Sequence, residues 1–192
     1  MTSTSNYQKH ISKNPLKRFF INNFFKTLLS QTQNLKIDTV LDVGCGEGFT
    51  LNKLKENKIG KTHEGIDYSK EAITLGKKAY PSLHIVQGNI YDLKYKDNSF
   101  DLVICSEVLE HLENPQKALR ELTRVSRRYI LLSVPNEPWF YLFNYTQWGK
   151  DIGHINKWSK NKFVKFIKLK SYKVISVKTP FPWTMIFFRK MN

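Results

Sequence analysis

Cysteine, acidic side chains and long apolar runs are all scarce in this sequence. The two cysteines, Cys45 and Cys105, are too few for a disulfide scaffold and fit a reducing environment, so both are expected to be free thiols. No uninterrupted apolar run reaches the roughly 20 residues that a membrane-spanning helix needs. The polar start, Met1 to Asn14, lacks the apolar core of a signal peptide, which makes the cytoplasm the expected compartment. Acid is short: 16 Asp and Glu face 31 Lys and Arg, a net charge of +15. That excess favours an anionic partner, either nucleic acid or an acidic membrane surface. The competing reading is compositional, since lysine heavily outnumbers arginine as AT-rich coding would give. The basic residues are spread along the chain and no RNA-binding signature accompanies them. At 192 residues the chain suits one domain with a full core.

What is present centres on VLDVGCGEGFT, Val40 to Thr50. Val40, Leu41 and Val43 read as the end of a buried parallel strand, and Gly44, Gly46 and Gly48 alternate through a turn into a helical pattern. Glycine admits positive φ and lets backbone pass close to a ligand, while a helix N-terminus offers unpaired N–H groups. A nucleotide-sized ligand fits such a seat. It is not a dinucleotide turn, because the third residue after Gly46 is Phe49 rather than glycine, and no Gly-Lys-Ser/Thr ending marks a phosphate loop. Asp42 would repel a pyrophosphate and welcome an ammonium group.

S-adenosylmethionine carries an amine and a sulfonium and no phosphate. The stretch resembles motif I of the class I S-adenosylmethionine-dependent methyltransferases, and the likeness runs on to about Pro135. The resemblance implies that Asp42, Gly44, Cys45, Gly46 and Gly48 hold the donor, with backbone near Cys105 and Ser106 at its methionine end. An acid at the end of the second strand, about twenty residues past the glycines, is placed for ribose hydroxyls, which selects Asp67. Tyr68 offers area for adenine. The competing readings are that Asp67 caps the helix starting near Ser69 and that Tyr68 only packs. At Asn89 the family often has Asp accepting from the adenine amino group. Asn89 can still accept without charge assistance, and the next amide, of Ile90, reaches the ring.

Strands are expected near Val40, at Thr62 to Ile66, Leu83 to Val86, Phe100 to Cys105 and Tyr129 to Val134, alternating with helices. That alternation is the signature of a doubly wound, Rossmann-like α/β fold with ligands at the strands' carboxyl ends. Tyr172 to Val177 and Trp183 to Phe188 complete a mostly parallel seven-stranded sheet with an antiparallel edge hairpin, joined by an aromatic turn, Thr179 to Pro182, expected to face the substrate. Residues 1–14 are expected to be a flexible tail and residues 15–192 the domain. From Pro15 a helix carries Leu16, Phe19, Phe20, Phe24, Leu28 and Leu29 at mostly helical spacing, either packed over the site or laid on a membrane. Residues 135–158, with Trp139, Trp148 and Trp158, are irregular and aromatic and read as a substrate lid.

Methyl transfer from a sulfonium asks the protein to align donor and acceptor and to take a proton where needed. His111, His154 and Glu107 are the catalytic candidates, with Glu110 beside them. Glu107, Glu110 and His111 are spaced i, i+3 and i+4, one face of a helix, and His154 in the lid can close a metal set suited to Mg²⁺ or Mn²⁺. This E-x-x-E-H resembles the ubiquinone-biosynthesis O-methyltransferases and the small-RNA 3′-terminal 2′-O-methyltransferases, which implies metal held against acceptor hydroxyls. The expectation is O-methylation of a small-molecule or lipid-precursor hydroxyl. An RNA methyltransferase and a non-catalytic S-adenosylmethionine-binding module are the alternatives.

Overall fold

The computed structural model describes residues 4–137, 139–140 and 153–191. Two helices open the chain, α1 (Ser5–Ile11) and α2 (Pro15–Thr32), followed by β1 (Thr39–Val43), α3 (Phe49–Glu56), β2 (Thr62–Asp67), α4 (Lys70–Ala79) and β3 (His84–Gln87). Then come β4 (Phe100–Ser106), a 3-10 turn (Leu109–His111), α5 (Pro115–Val125), β5 (Ser126–Pro135), α6 (Lys160–Phe166), β6 (Tyr172–Lys178) and β7 (Trp183–Lys190).

The helix starts follow local chemistry. Asn14, Ser69, Asn114 and Ser159 each accept a backbone N–H of the first turn, and Pro15 and Pro115 sit where no N–H is needed. Ser69, rather than Asp67, is therefore the cap of α4. The last helix ends at Phe166, where Ile167 turns extended and buries its side chain.

The seven strands form one sheet in the order β3-β2-β1-β4-β5-β7-β6. Strands β1 to β5 pair in parallel, and β7 runs antiparallel to both β5 and β6. The hairpin is the expected one, with β7 inside and β6 at the edge. Chain order reverses at β1, whose neighbours are β2 and β4, and a ligand crevice opens at the carboxyl ends on either side of such a switch point. Both faces of the sheet are covered. Phe24, Phe25 and Leu28 of α2 pack with Leu51 and Leu54 of α3 on one side. Ala118, Leu119 and Leu122 of α5 pack with Phe163 of α6 on the other.

The opening segment differs from expectation. Residues 5–11 form a helix, with the Thr4 side chain accepting from Tyr7 N–H at 3.0 Å. It packs on the domain: His10 stacks on Phe49 with ring centroids 4.1 Å apart. Helix α2 divides by length, its second half buried in the core while Leu16 and Phe19 stay exposed.

Candidate active site

A cleft of about 1410 Å³ runs along the carboxyl ends of the strands. That exceeds the usual volume for one small ligand, roughly 300–1,000 Å³, and leaves room for a donor and an acceptor together. Asp42, Gly44, Cys45, Gly46, Asp67, Tyr68, Asn89, Ile90, Glu107, Glu110, His111 and His154 all line it.

Two residues expected on the wall are absent from it. Cys105 is fully buried inside β4, and Ser106 takes the wall position beyond it. Gly48 (φ +86°) starts α3, and a Cβ there would stand 2.7 Å from Ile85 Cδ1, so this glycine serves packing. Both cysteines are free thiols, and burial raises both pKa values.

The glycine turn works by close approach rather than by offered amides. Gly44 has φ +78°, and a Cβ on it would meet Val108 Cγ2 at 2.2 Å. The N–H groups of Gly44 and Cys45 both donate to Ile66 O, at 2.7 and 3.0 Å, and Gly46 N–H donates to Asp67 Oδ2 at 2.7 Å. Asp67 also accepts from Ser69 N–H at 2.8 Å through Oδ1. Each carboxylate oxygen is thus held by one backbone donor and keeps a lone pair. Tyr68 is 80% exposed, so it does not serve packing. Asn89 Oδ1 accepts from Tyr91 N–H at 2.9 Å, so an adenine amino group would share that oxygen.

Asp42 is buried, and desolvation, reinforced by the Asp67 charge, raises its carboxyl pKa to about 8. A cation arriving in the cleft would reverse that, because a positive charge nearby favours the carboxylate.

The far wall departs from the helical spacing. Glu107 has φ +57° and the following residues make a 3-10 turn, so Glu107 does not share a helix face with Glu110 and His111. Its carboxylate instead accepts from Lys9 Nζ at 3.0 and 3.1 Å. Burial pushes the Glu107 pKa up, but the Lys9 ammonium outweighs this and holds it below the ordinary carboxylate range. Glu110, His111 and His154 do converge, with ligand atoms all within 4.8 Å of one another. The lid segment reaches this turn because Ile155 and Asn156 N–H both donate to Glu110 O at 2.9 Å, and Asn156 Nδ2 donates to Leu109 O and Leu112 O.

Glu110 is 1% exposed and neither carboxyl oxygen has a hydrogen-bond partner among the described residues. Burial, with the Glu107 charge adding to it, raises its pKa well above the ordinary value. Oxygen flanks Nδ1 of both imidazoles: Gly153 O lies 3.2 Å from His111 and Glu137 Oε1 lies 3.9 Å from His154. At 3.2 Å the Gly153 carbonyl is placed to accept from Nδ1–H of His111, the tautomer that leaves Nε2 its lone pair for a metal, whereas Glu137 at 3.9 Å is too far to fix the tautomer of His154. Three of the four expected ligands are thus brought together and Glu107 is not.

Lys9, His10 and Glu47 were not legible as site residues. Thr4 and Asn6 donate from α1 to the fully buried Glu47. His10 lines the cleft as a neutral imidazole, its pKa lowered to about 3 by burial and then by Lys9. The spacing of Tyr7, His10 and Ile11, i, i+3 and i+4, is the signal that could have placed α1. Of the expected lid, Trp139 contacts Phe181, Trp158 packs on Phe163 and Phe166, and Trp148 lies outside the described residues.

Residues 41–129 match the family described as "Methyltransferase domain". A probable S-adenosylmethionine-dependent methyltransferase of Mycobacterium tuberculosis is 31% identical over 99 residues, 50% of this chain and 35% of that protein. The mitochondrial ubiquinone biosynthesis O-methyltransferase of Saccharomyces cerevisiae is 35% identical over 86 residues, 43% of this chain and 28% of that protein. The chain therefore aligns to about a third of the length of these relatives. Among solved structures, magnesium protoporphyrin IX methyltransferase from Synechocystis with bound SAH superposes with a TM-score of 0.68 at 16% identity, over 93% of this chain and 89% of that one, a likeness of fold. Residues 41–129 are thus a methyltransferase domain by the family match, and the sheet order and glycine turn agree with the class I S-adenosylmethionine-dependent fold.

Proposed function

We propose that the protein moves the methyl group of S-adenosylmethionine to a hydroxyl oxygen of a small-molecule or lipid-precursor acceptor, and that Glu110, His111 and His154 take a divalent cation, Mg²⁺ or Mn²⁺. One observation carries the acceptor side. Glu110 is a buried carboxyl with neither oxygen partnered among the described residues, set against two imidazoles. An unpaired buried carboxyl is costly in a fold unless something pairs it, and two nitrogens and an oxygen suit a cation with open positions. Such a cation, when bound, lowers the pKa of a hydroxyl that it touches.

The chain's own residues do the rest. Asp67, anchored by two backbone N–H groups, accepts from the ribose hydroxyls, and Tyr68 covers adenine. Asp42, once ionised, faces the donor's positive charge. The acceptor oxygen forms its bond to the methyl carbon as the carbon–sulfur bond breaks, and the hydroxyl proton leaves to solvent, because both imidazoles are committed to the cation. Glu107 stays with Lys9 and outside the ligand set. The yeast relative, named as an O-methyltransferase, supports oxygen as the acceptor atom.

The test pairs binding with turnover. Calorimetric titration of Mn²⁺ into chelated protein should show one site, lost by Glu110→Ala and His154→Ala. Label transfer from the donor to a panel of phenols and lipid precursors should fall on chelation and return with Mg²⁺ or Mn²⁺. Full turnover after exhaustive chelation removes the metal from the account and leaves His111 or His154 as simple base.

A further inference from the structure

The charge excess is not even along the chain. All 16 Asp and Glu lie between Asp38 and Asp151. Residues 1–37 hold 6 Lys and Arg and no acid, residues 152–192 hold 10 and no acid, and the stretch between holds 15 against 16. The entire positive excess therefore belongs to the two ends, which a uniform coding bias does not produce.

Part of each end meets at the cleft, where Lys9, Lys13 and Lys17 of the first end stand and none of the ten basic residues of the second lines the wall. Phe20 of α2 meets Phe181 with centroids 5.3 Å apart, Phe24 meets Trp183 at 5.2 Å, and Gln31 reaches Met185 and Ser176. Large apolar side chains stand exposed around the same mouth, Ile11 50%, Phe19 64% and Trp139 52%, and Leu16, 48% exposed, sits one turn before Phe20 on α2. Ile11 lines the cleft, and Phe19 and Trp139 pack on Phe20 and Phe181, which line it. Lys13 and Lys17 stand on this rim, and Arg18 is exposed beside Phe19.

We propose that this rim docks on an anionic lipid bilayer, with the cleft mouth toward the membrane, so that a lipophilic acceptor reaches the donor without crossing water. The proposal deepens the reading above, on which it rests for the identity of the acceptor. Apolar side chains interleaved with cations are what interfacial binding uses: the first enter the acyl boundary and the second meet the headgroups. Among the described residues no helix is long and apolar enough to cross a membrane. The chemistry fits lipid better than RNA. Ile11 and Leu16 offer no ring for stacking on bases, and the two acid-free ends hold 14 lysines against 2 arginines, few of the planar forks that read phosphate in pairs.

Flotation of the full chain with vesicles tests this. Phosphatidylcholine vesicles carrying roughly a third phosphatidylglycerol should retain it and pure phosphatidylcholine should not, while the combined Lys13→Gln, Lys17→Gln, Arg18→Gln variant should bind on the order of 100-fold more weakly. Leu16→Ser with Phe19→Ser should also lose retention, with circular dichroism and donor affinity in solution unchanged, since neither side chain lines the cleft. Three results overturn the proposal: no retention of the wild type, equal retention of the Leu16→Ser, Phe19→Ser variant, or tighter binding to a single-stranded RNA than to anionic vesicles. Flotation needs no donor, so a protein that floats but binds no S-adenosylmethionine contradicts the methyl-transfer reading alone.

Discussion

The donor wall of the cleft comes from one run of chain, residues 42 to 90, whereas the opposite wall draws on Lys9, Glu107, Glu110, His111, Glu137 and His154. In the first, backbone does most of the work: positive-φ glycines shape a tight turn, with Val108 packed directly on Gly44, and amides of Gly46 and Ser69 set one carboxylate. In the second, side chains from distant segments are held together by hydrogen bonds such as those of Asn156 to Leu109 and Leu112. A wall made of contiguous backbone is insensitive to what packs elsewhere. A wall assembled from distant side chains fails when any one tie is cut.

The largest effect should come from breaking the donor wall at its tightest point. Gly44→Ala puts a Cβ 2.2 Å from Val108 Cγ2 in a left-handed backbone. Donor binding should fall below detection in calorimetry while the far-wall cluster keeps its affinity for Mn²⁺. If both are lost together, the two walls are not separable. Next is Asp67→Ala, expected to weaken S-adenosylmethionine binding by about 1–3 kcal/mol through lost hydrogen bonds. Equal binding by the variant would remove Asp67 from the donor site.

On the far wall, Glu110→Met replaces a buried, unpartnered carboxyl by an apolar side chain of similar length. Chemical denaturation of the metal-free protein should show it stabilised by about 1–3 kcal/mol, with Mn²⁺ binding gone. A destabilised variant would mean that the carboxyl is held by something other than a cation. The smallest effect is expected from Lys9→Met. Its ion pair with Glu107 is partly exposed on both sides, worth about 1 kcal/mol or less. Amide exchange in α1 should quicken, and exchange in β4 should not.

What could be read from the sequence follows the same division. The strand ends, Asp42, Asp67 and the glycine turn were legible because apolar runs and positive-φ residues sit next to each other in the chain. Even there, Gly48 falls outside the cleft lining, because nothing local reveals that Ile85 fills the space above it. The E-x-x-E-H spacing marked three residues that line the cleft, but not as one face of a helix. A left-handed Glu107 and a 3-10 turn replace the helix, and Lys9, 98 residues away, claims the first glutamate. The charge excess was read from its total, whereas its meaning lies in where the acids are absent.

The central claim is that the glycine wall binds S-adenosylmethionine, and calorimetric titration of the donor across pH tests it most directly. Asp42 holds a proton in the empty site up to about pH 8, and the cationic donor favours its release. Affinity should therefore rise with pH, by up to about tenfold per unit below 8, and level off above, with up to one proton released on binding. Absence of binding at every pH contradicts the account, and a pH-independent affinity with no proton release contradicts the role given to Asp42.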